Sequence, residues 1–166
     1  MATTLRTIIF VLLFALITQI QFNLDADKTA IRQLKNATEI AVHDSGLAVE
    51  QEALSEGKIV FDQNKAMENF KASLENNLDL SSTAGYVYNP TDSSFFKQDL
   101  YLVDLEFIDD SNTDSYPFVY SNSNYHILEN IEGPSIIAVM TTESPRWFKG
   151  NLSMIRQAAV YQYKNN

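Results

Sequence analysis

The chain has 166 residues, 45% of them apolar, with 21 acidic against 12 basic side chains and a formal charge of −9. This length suits one domain, and the composition fits neither a disordered chain nor a many-span membrane protein. The charge balance argues against phosphate-neutralising nucleic-acid binding, and the absence of cysteine excludes thiol catalysis, disulfides and sulfur-ligated zinc.

All five glycines and all four prolines lie at or after Gly46, so no strong helix breaker interrupts the first 45 residues. Ile8 to Ile17 reads IIFVLLFALI, and no carboxylate occurs before Asp25. Leu5–Leu24 as a helix spans about 30 Å, one hydrocarbon core. Arg6 stands at its edge, where a long cationic side chain reaches headgroups. Two alternatives compete with a membrane anchor. In a cleaved signal peptide, Leu24-Asp25-Ala26 is the best cleavage candidate, and its large Leu24 suits the small-residue rule poorly. A core helix of a soluble domain would have to be apolar all round.

Beyond Asp25 the pattern turns amphipathic, with Ile31, Leu34, Ala37 or Thr38, Ala41, Leu47 and Ala48 at helical steps. Gly46 costs about 1 kcal/mol inside a helix, so one helix from near Thr4 to near Leu54 is expected. This divides the chain into an anchor at 1–24, an amphipathic continuation at 25–54 and a head at 55–166. Basic residues lie on both sides of the span, so the positive-inside rule does not decide orientation. An extracytoplasmic head is expected from its acidic, cysteine-free character.

In the head, Ile59-Val60-Phe61 suits a short strand, and Asp62 offers an N-cap for a helix to Leu78 with Met67, Phe70, Leu74 and Leu78 on one face. After Gly85 the pattern is β. Tyr86–Tyr88, Leu100–Ile108, Tyr116–Tyr120, Tyr125–Ile131, Ser135–Thr142 and Met154–Tyr163 are strand candidates. In the longest early run, Tyr101, Val103, Leu105 and Phe107 share a face opposite Asp104 and Glu106. Short strands joined by turn clusters imply an antiparallel sheet and an α+β head.

Few motifs carry chemistry. Asp110-x-Asn112-x-Asp114 begins like a calcium loop, but Ser115 replaces the expected glycine and Ser121 the bidentate glutamate, so a polar turn explains the same residues. His43 has Glu39 one turn before it and Asp44 beside it, as in a surface ion pair; His126 falls among the apolar residues of a strand candidate. No nucleophile elbow, P-loop or dinucleotide fingerprint occurs, so no catalytic residue and no cofactor is assigned. Pro145-Arg146-Trp147-Phe148-Lys149 holds the only tryptophan. Arg146, Trp147 and Phe148 suit a subunit or membrane-surface contact, or alternatively a loop that closes the core.

With these segments in view, Leu34–Leu78 and Glu132–Tyr163 give the chain a layout that resembles type IV pilin-like proteins and the single-span proteins of Tad-type pilus systems in Gram-positive bacteria. No glycine precedes Gly46 and no acid precedes Asp25, unlike the usual pilin start, so the resemblance implies an uncut membrane helix. It implies assembly with itself or other pilus subunits, and contact with membrane lipid, through Ile8, Ile9, Phe10, Val11, Leu12, Leu13, Phe14, Leu16, Ile17 and Ile20. The expected function is a non-enzymatic structural or accessory pilus subunit. The alternatives are a monomeric anchored binding protein and, third, a secreted enzyme with a cleaved signal.

Overall fold

The computed structural model of the chain describes residues 2–82, 85–113 and 115–163. One helix, α1, runs unbroken over Ala2–Gly46, about 68 Å at 1.5 Å per residue. It ends at Gly46, not near Leu54; Leu47–Glu50 is non-helical and a separate short helix, α2, covers Gln51–Ser55. The chain after Gly46 pairs with the segment before the next long helix instead: the Glu50 N–H donates to the Val60 carbonyl at 2.9 Å and the Asp62 N–H to the Ala48 carbonyl at 3.0 Å. Gly46 itself is fixed by packing. A Cβ on Gly46 would come within 2.2 Å of the Tyr161 ring, so the residue is glycine because an aromatic side chain from the far end of the sequence occupies its space. Gly46→Ala is therefore expected to destabilise the head by about 1–3 kcal/mol, read from thermal unfolding, since the Tyr161 ring must leave both Gly46 and the edge contact with His43. The end of α1 is tied down as well: Asn69 donates to the Asp44 carbonyl at 3.1 Å, satisfying one of its orphan acceptors.

The helix α3 spans Gln63–Leu78, with the Asp62 carboxylate accepting from the Lys65 N–H as its N-cap and Asp79 closing it in the left-handed conformation. Phe70, Leu74 and Leu78 are buried, as the helical stripe expects, and Met67 is partly so. α3 packs against the second half of α1. The buried face of α1 is Ala30, Leu34, Ala37, Thr38, Ala41, Val42 and Ser45, mostly small side chains that let the helices approach closely. Ile31 and Leu47, expected on that face, are exposed. Ser45 Oγ donates to the Ala66 carbonyl at 3.0 Å, a direct link between the helices.

Seven strands follow among the described residues: β1 (Leu80–Ser82), β2 (Val87–Pro90), β3 (Leu100–Ile108), β4 (Phe118–Asn122), β5 (Ile127–Ile131), β6 (Ser135–Glu143) and β7 (Met154–Gln162). Five of them form an antiparallel sheet in the order β1-β2-β3-β6-β7, while β4 and β5 pair as a separate hairpin. The expected strand at Ile59–Phe61 is only a single bridge, between Phe61 and Val49. His126 lies in the turn before β5 with φ 57°, not within a strand.

The alternation expected for β3 holds only beyond its middle. Register slips between Leu102 and Asp104, leaving Val103 as an extra residue opposite β6. A bulge of this kind inverts the facing of a strand. Leu100 and Leu102 therefore enter the helix-side core before it, Leu105 and Phe107 pack there after it, and Tyr101 and Val103 face outward. The sheet has two covered faces. One packs with Leu102, Ala138, Met140 and Ala159 against α1 and α3; on the other, Ile137 and Val139 meet Ile127 and Ile131 of the hairpin.

One core group stands out energetically. The Tyr88 hydroxyl is buried without a hydrogen-bond partner among the described residues, and burial pushes its pKa up to about 12. Removing an unpaired buried hydroxyl relieves a desolvation penalty of about 1–3 kcal/mol. Tyr88→Phe should hold or raise the melting temperature; a clear fall would show that the hydroxyl has a partner in solution.

Candidate functional site

The site is built where the bare half of α1 meets the head. Ile8, Ile9, Phe10, Val11, Leu12, Leu13, Phe14, Leu16, Ile17 and Ile20 are all exposed, and none of the apolar window of α1 is buried inside the protein. The helix is long and apolar enough to cross a membrane. A large apolar side chain left in water forgoes roughly 1.5–3 kcal/mol. Ten of them forgo on the order of 15 kcal/mol or more, comparable to the whole stability of a domain. Two hydroxyls in this stretch turn back onto the helix: Thr7 and Thr18 donate to the carbonyls of Thr3 and Phe14, one turn back, at 3.0 and 2.8 Å. The backbone is satisfied by the helix itself, as an apolar medium requires.

Asn23 is where the head begins to grip the helix. Its side-chain oxygen accepts from the backbone N–H groups of Trp147 and Phe148, both at 3.1 Å, and its amide nitrogen donates to the Phe148 carbonyl at 3.3 Å. One turn further, Asp27 forms an ion pair with Arg146, whose guanidinium also donates to the Asn151 carbonyl at 2.9 Å and to Ser153 Oγ at 2.7 Å. The pair is largely withdrawn from water, with side-chain exposures of 12% for Arg146 and 21% for Asp27. Partial burial pushes the Asp27 pKa upward, but hydrogen bonds from Arg146 and Ser144 and the guanidinium charge outweigh it, and the net shift is down. The Phe22 and Phe148 rings lie 6.0 Å apart and complete the contact.

Trp147 is 66% exposed and Phe148 39%, so these aromatics do not close the core. Arg146 points back to the helix, and the Trp147–Phe148 tip is held beside Phe22 and Asn23 at the end of the apolar run. Asn23 and Asp27, which sequence reasoning did not single out, carry the arrangement. Their four-residue spacing on one helix face was the available signal, but nothing local marks Arg146 as the partner.

The other candidate groups are placed as follows. Asp110 accepts from the Ile59 N–H at 2.7 Å, and Asn112 accepts from the Asp109 N–H at 2.9 Å while donating to the Phe107 carbonyl at 2.8 Å. Both work as turn and loop anchors here; Asp114 lies outside the described residues. The buried Asp109 accepts from the Phe61 N–H and from Ser111. Among the described residues no cluster of histidine and carboxylate side chains is gathered to hold a metal ion. His43 is exposed, 3.5 Å from Asp44 and edge-on to Tyr161, while Glu39 pairs with Lys35. On the hairpin side of the sheet, Tyr120 donates to Glu106; burial and that carboxylate hold its pKa at about 12, so the hydroxyl stays protonated.

No family model, no curated protein and no solved structure matches this chain.

Proposed function

We propose that the protein is a non-enzymatic, single-pass membrane subunit that assembles through the apolar half of α1, as a structural or accessory component of a pilus-like filament or secretion system. Its acidic head lies on the extracytoplasmic side or is displayed on a filament. The observation that carries this reading is the division of one unbroken helix. The first half is bare on every side and the second is built into the head by α3 and the sheet. A helix apolar all round exchanges lipid for identical helices with little hydrophobic cost, so packing decides association. The net charge of −9 keeps heads soluble around such a core.

A second reading, an anchored monomer that captures a partner, is favoured by the sheet edge. β7 ends the five-stranded sheet and has no further strand beside it among the described residues, which leaves a template for an added strand.

Electron microscopy of detergent-free membranes separates the two. Filaments or ordered clusters with heads outward support assembly, and single heads support the monomer. Mass spectrometry of the mature amino terminus tests the anchor itself, since a chain lacking Ile8–Phe22 would be a secreted protein and would overturn both readings.

A further inference from the structure

We propose that the Trp147–Lys149 loop is a lipid-facing foot, which sets the head directly on the headgroup layer of the bilayer that α1 crosses. This rests on the membrane-anchor reading above. From Arg6 to Asn23 the helix measures about 26 Å at 1.5 Å per residue, close to the hydrocarbon thickness of about 30 Å. With the Arg6 cation at one surface, Asn23 therefore lies level with the other.

The loop is fixed at that level by side chain and backbone together. Asn23 takes the Trp147 and Phe148 N–H groups and the Phe148 carbonyl, so the tip reaches the bilayer with these backbone groups already satisfied. Pairing in advance lowers the cost of moving these groups from water toward the edge of the hydrocarbon. What the tip presents outward is an exposed indole, a half-exposed phenyl ring and the exposed Lys149. Amphipathic aromatics settle at the headgroup level, and an ammonium beside them suits lipid phosphate. On α1 the surface continues into Phe22 and Leu24, both exposed, so the foot is an extension of the apolar span and not an isolated patch.

Trp147 is the only tryptophan, so its fluorescence reports the foot without any labelling. The full chain is reconstituted in phosphatidylcholine–phosphatidylglycerol vesicles whose acyl chains carry bromine near the headgroup or near the tail end, and the same vesicles are floated. The expected result is co-flotation, blue-shifted emission, and quenching strongest with bromine near the headgroup. Protein that floats yet keeps the unquenched emission of an indole in water overturns the foot and leaves the anchor intact. Blue-shifted emission that no brominated lipid quenches also overturns it, and assigns the loop to contact between copies. Quenching strongest at the tail end refutes an interfacial position. Failure to float overturns the anchor and the foot together.

Discussion

Leu13→Arg is expected to release the protein from membranes while leaving the head folded. Arg at the centre of a span costs about 2.5–3.5 kcal/mol on insertion scales, and each apolar residue contributes only about −0.3 to −0.6. The nine Leu, Ile, Phe and Val residues of Ile8–Ile17 thus supply roughly 3–5 kcal/mol, and a single arginine offsets most of it. Insertion should fall by about two orders of magnitude, since 1.4 kcal/mol is tenfold. Leu13 is exposed, so the unfolding temperature of the head should not change. Carbonate extraction and vesicle flotation read the first effect, and thermal unfolding in detergent reads the second. Full membrane retention of the variant would remove the main support for an α1 anchor; a parallel loss of head stability would show that the apolar half packs on the protein.

Arg146→Ala is the second large effect. Removing one partner of a fully buried ion pair costs about 3–5 kcal/mol; this pair keeps some contact with water, so about 2–3 kcal/mol is expected. For a domain of this size that lowers the melting temperature by about 5–10 °C. The charge left on Asp27 accounts for part of the loss, so Asp27→Asn in the same background should recover some of it. The pH dependence follows from the sign of the Asp27 shift. Its folded pKa lies below the ordinary value of 3.8, so the stabilisation is complete above 3.8 and is lost as pH falls through the lower folded value. In Arg146→Ala only burial and the Ser144 hydrogen bond act on Asp27, and burial is the larger, so its folded pKa there is raised. The gap between wild type and variant should be constant near neutral pH and narrow as pH falls through that raised value and then through the lowered wild-type one. A gap that widens in acid would reverse the sign and refute the assignment.

Much of the architecture is legible where local chemistry and periodicity agree. Asp62 caps α3 as its side chain suggests, and β3 occupies Leu100–Ile108, a mostly apolar run with aromatic and β-branched residues and no glycine or proline. The failures are each a tertiary effect. Gly46 is tolerated in the helix as expected, but the helix does not continue to Leu54, because Ala48–Glu50 pairs with Val60–Asp62. Val103 reads as one step of an alternation until pairing with β6 makes it a bulge and reverses the first half of the strand. The exposed Ile31 and the buried Ala30 show that the face of α1 is chosen by what fits beneath it, since small side chains allow α3 closer contact than large ones.

The candidate site divides in the same way. Its apolar half is visible from composition alone, because the run is long and apolar enough, without a carboxylate or helix breaker, to form a helix that could cross a membrane. Asn23, Asp27 and Arg146 are polar residues of ordinary type, and Asp27 and Arg146 stand 119 positions apart. No periodicity connects residues at that distance; only the return of β6 to the foot of α1 brings them together.

By itself, then, the sequence determined a stalk and a head: an uninterrupted helix whose first half has no polar face, followed by an α+β domain carrying the acidic charge. These are properties of neighbouring residues, which hydrophobicity and backbone sterics express locally. Only the tertiary structure decided where the stalk ends, which side of β3 faces the core, and that an aromatic loop stands beside Asn23. Each depends on a distant part of the chain supplying a hydrogen-bond partner, backbone in the first two and the Asn23 side chain in the third, and that partner is in reach only after the chain has packed.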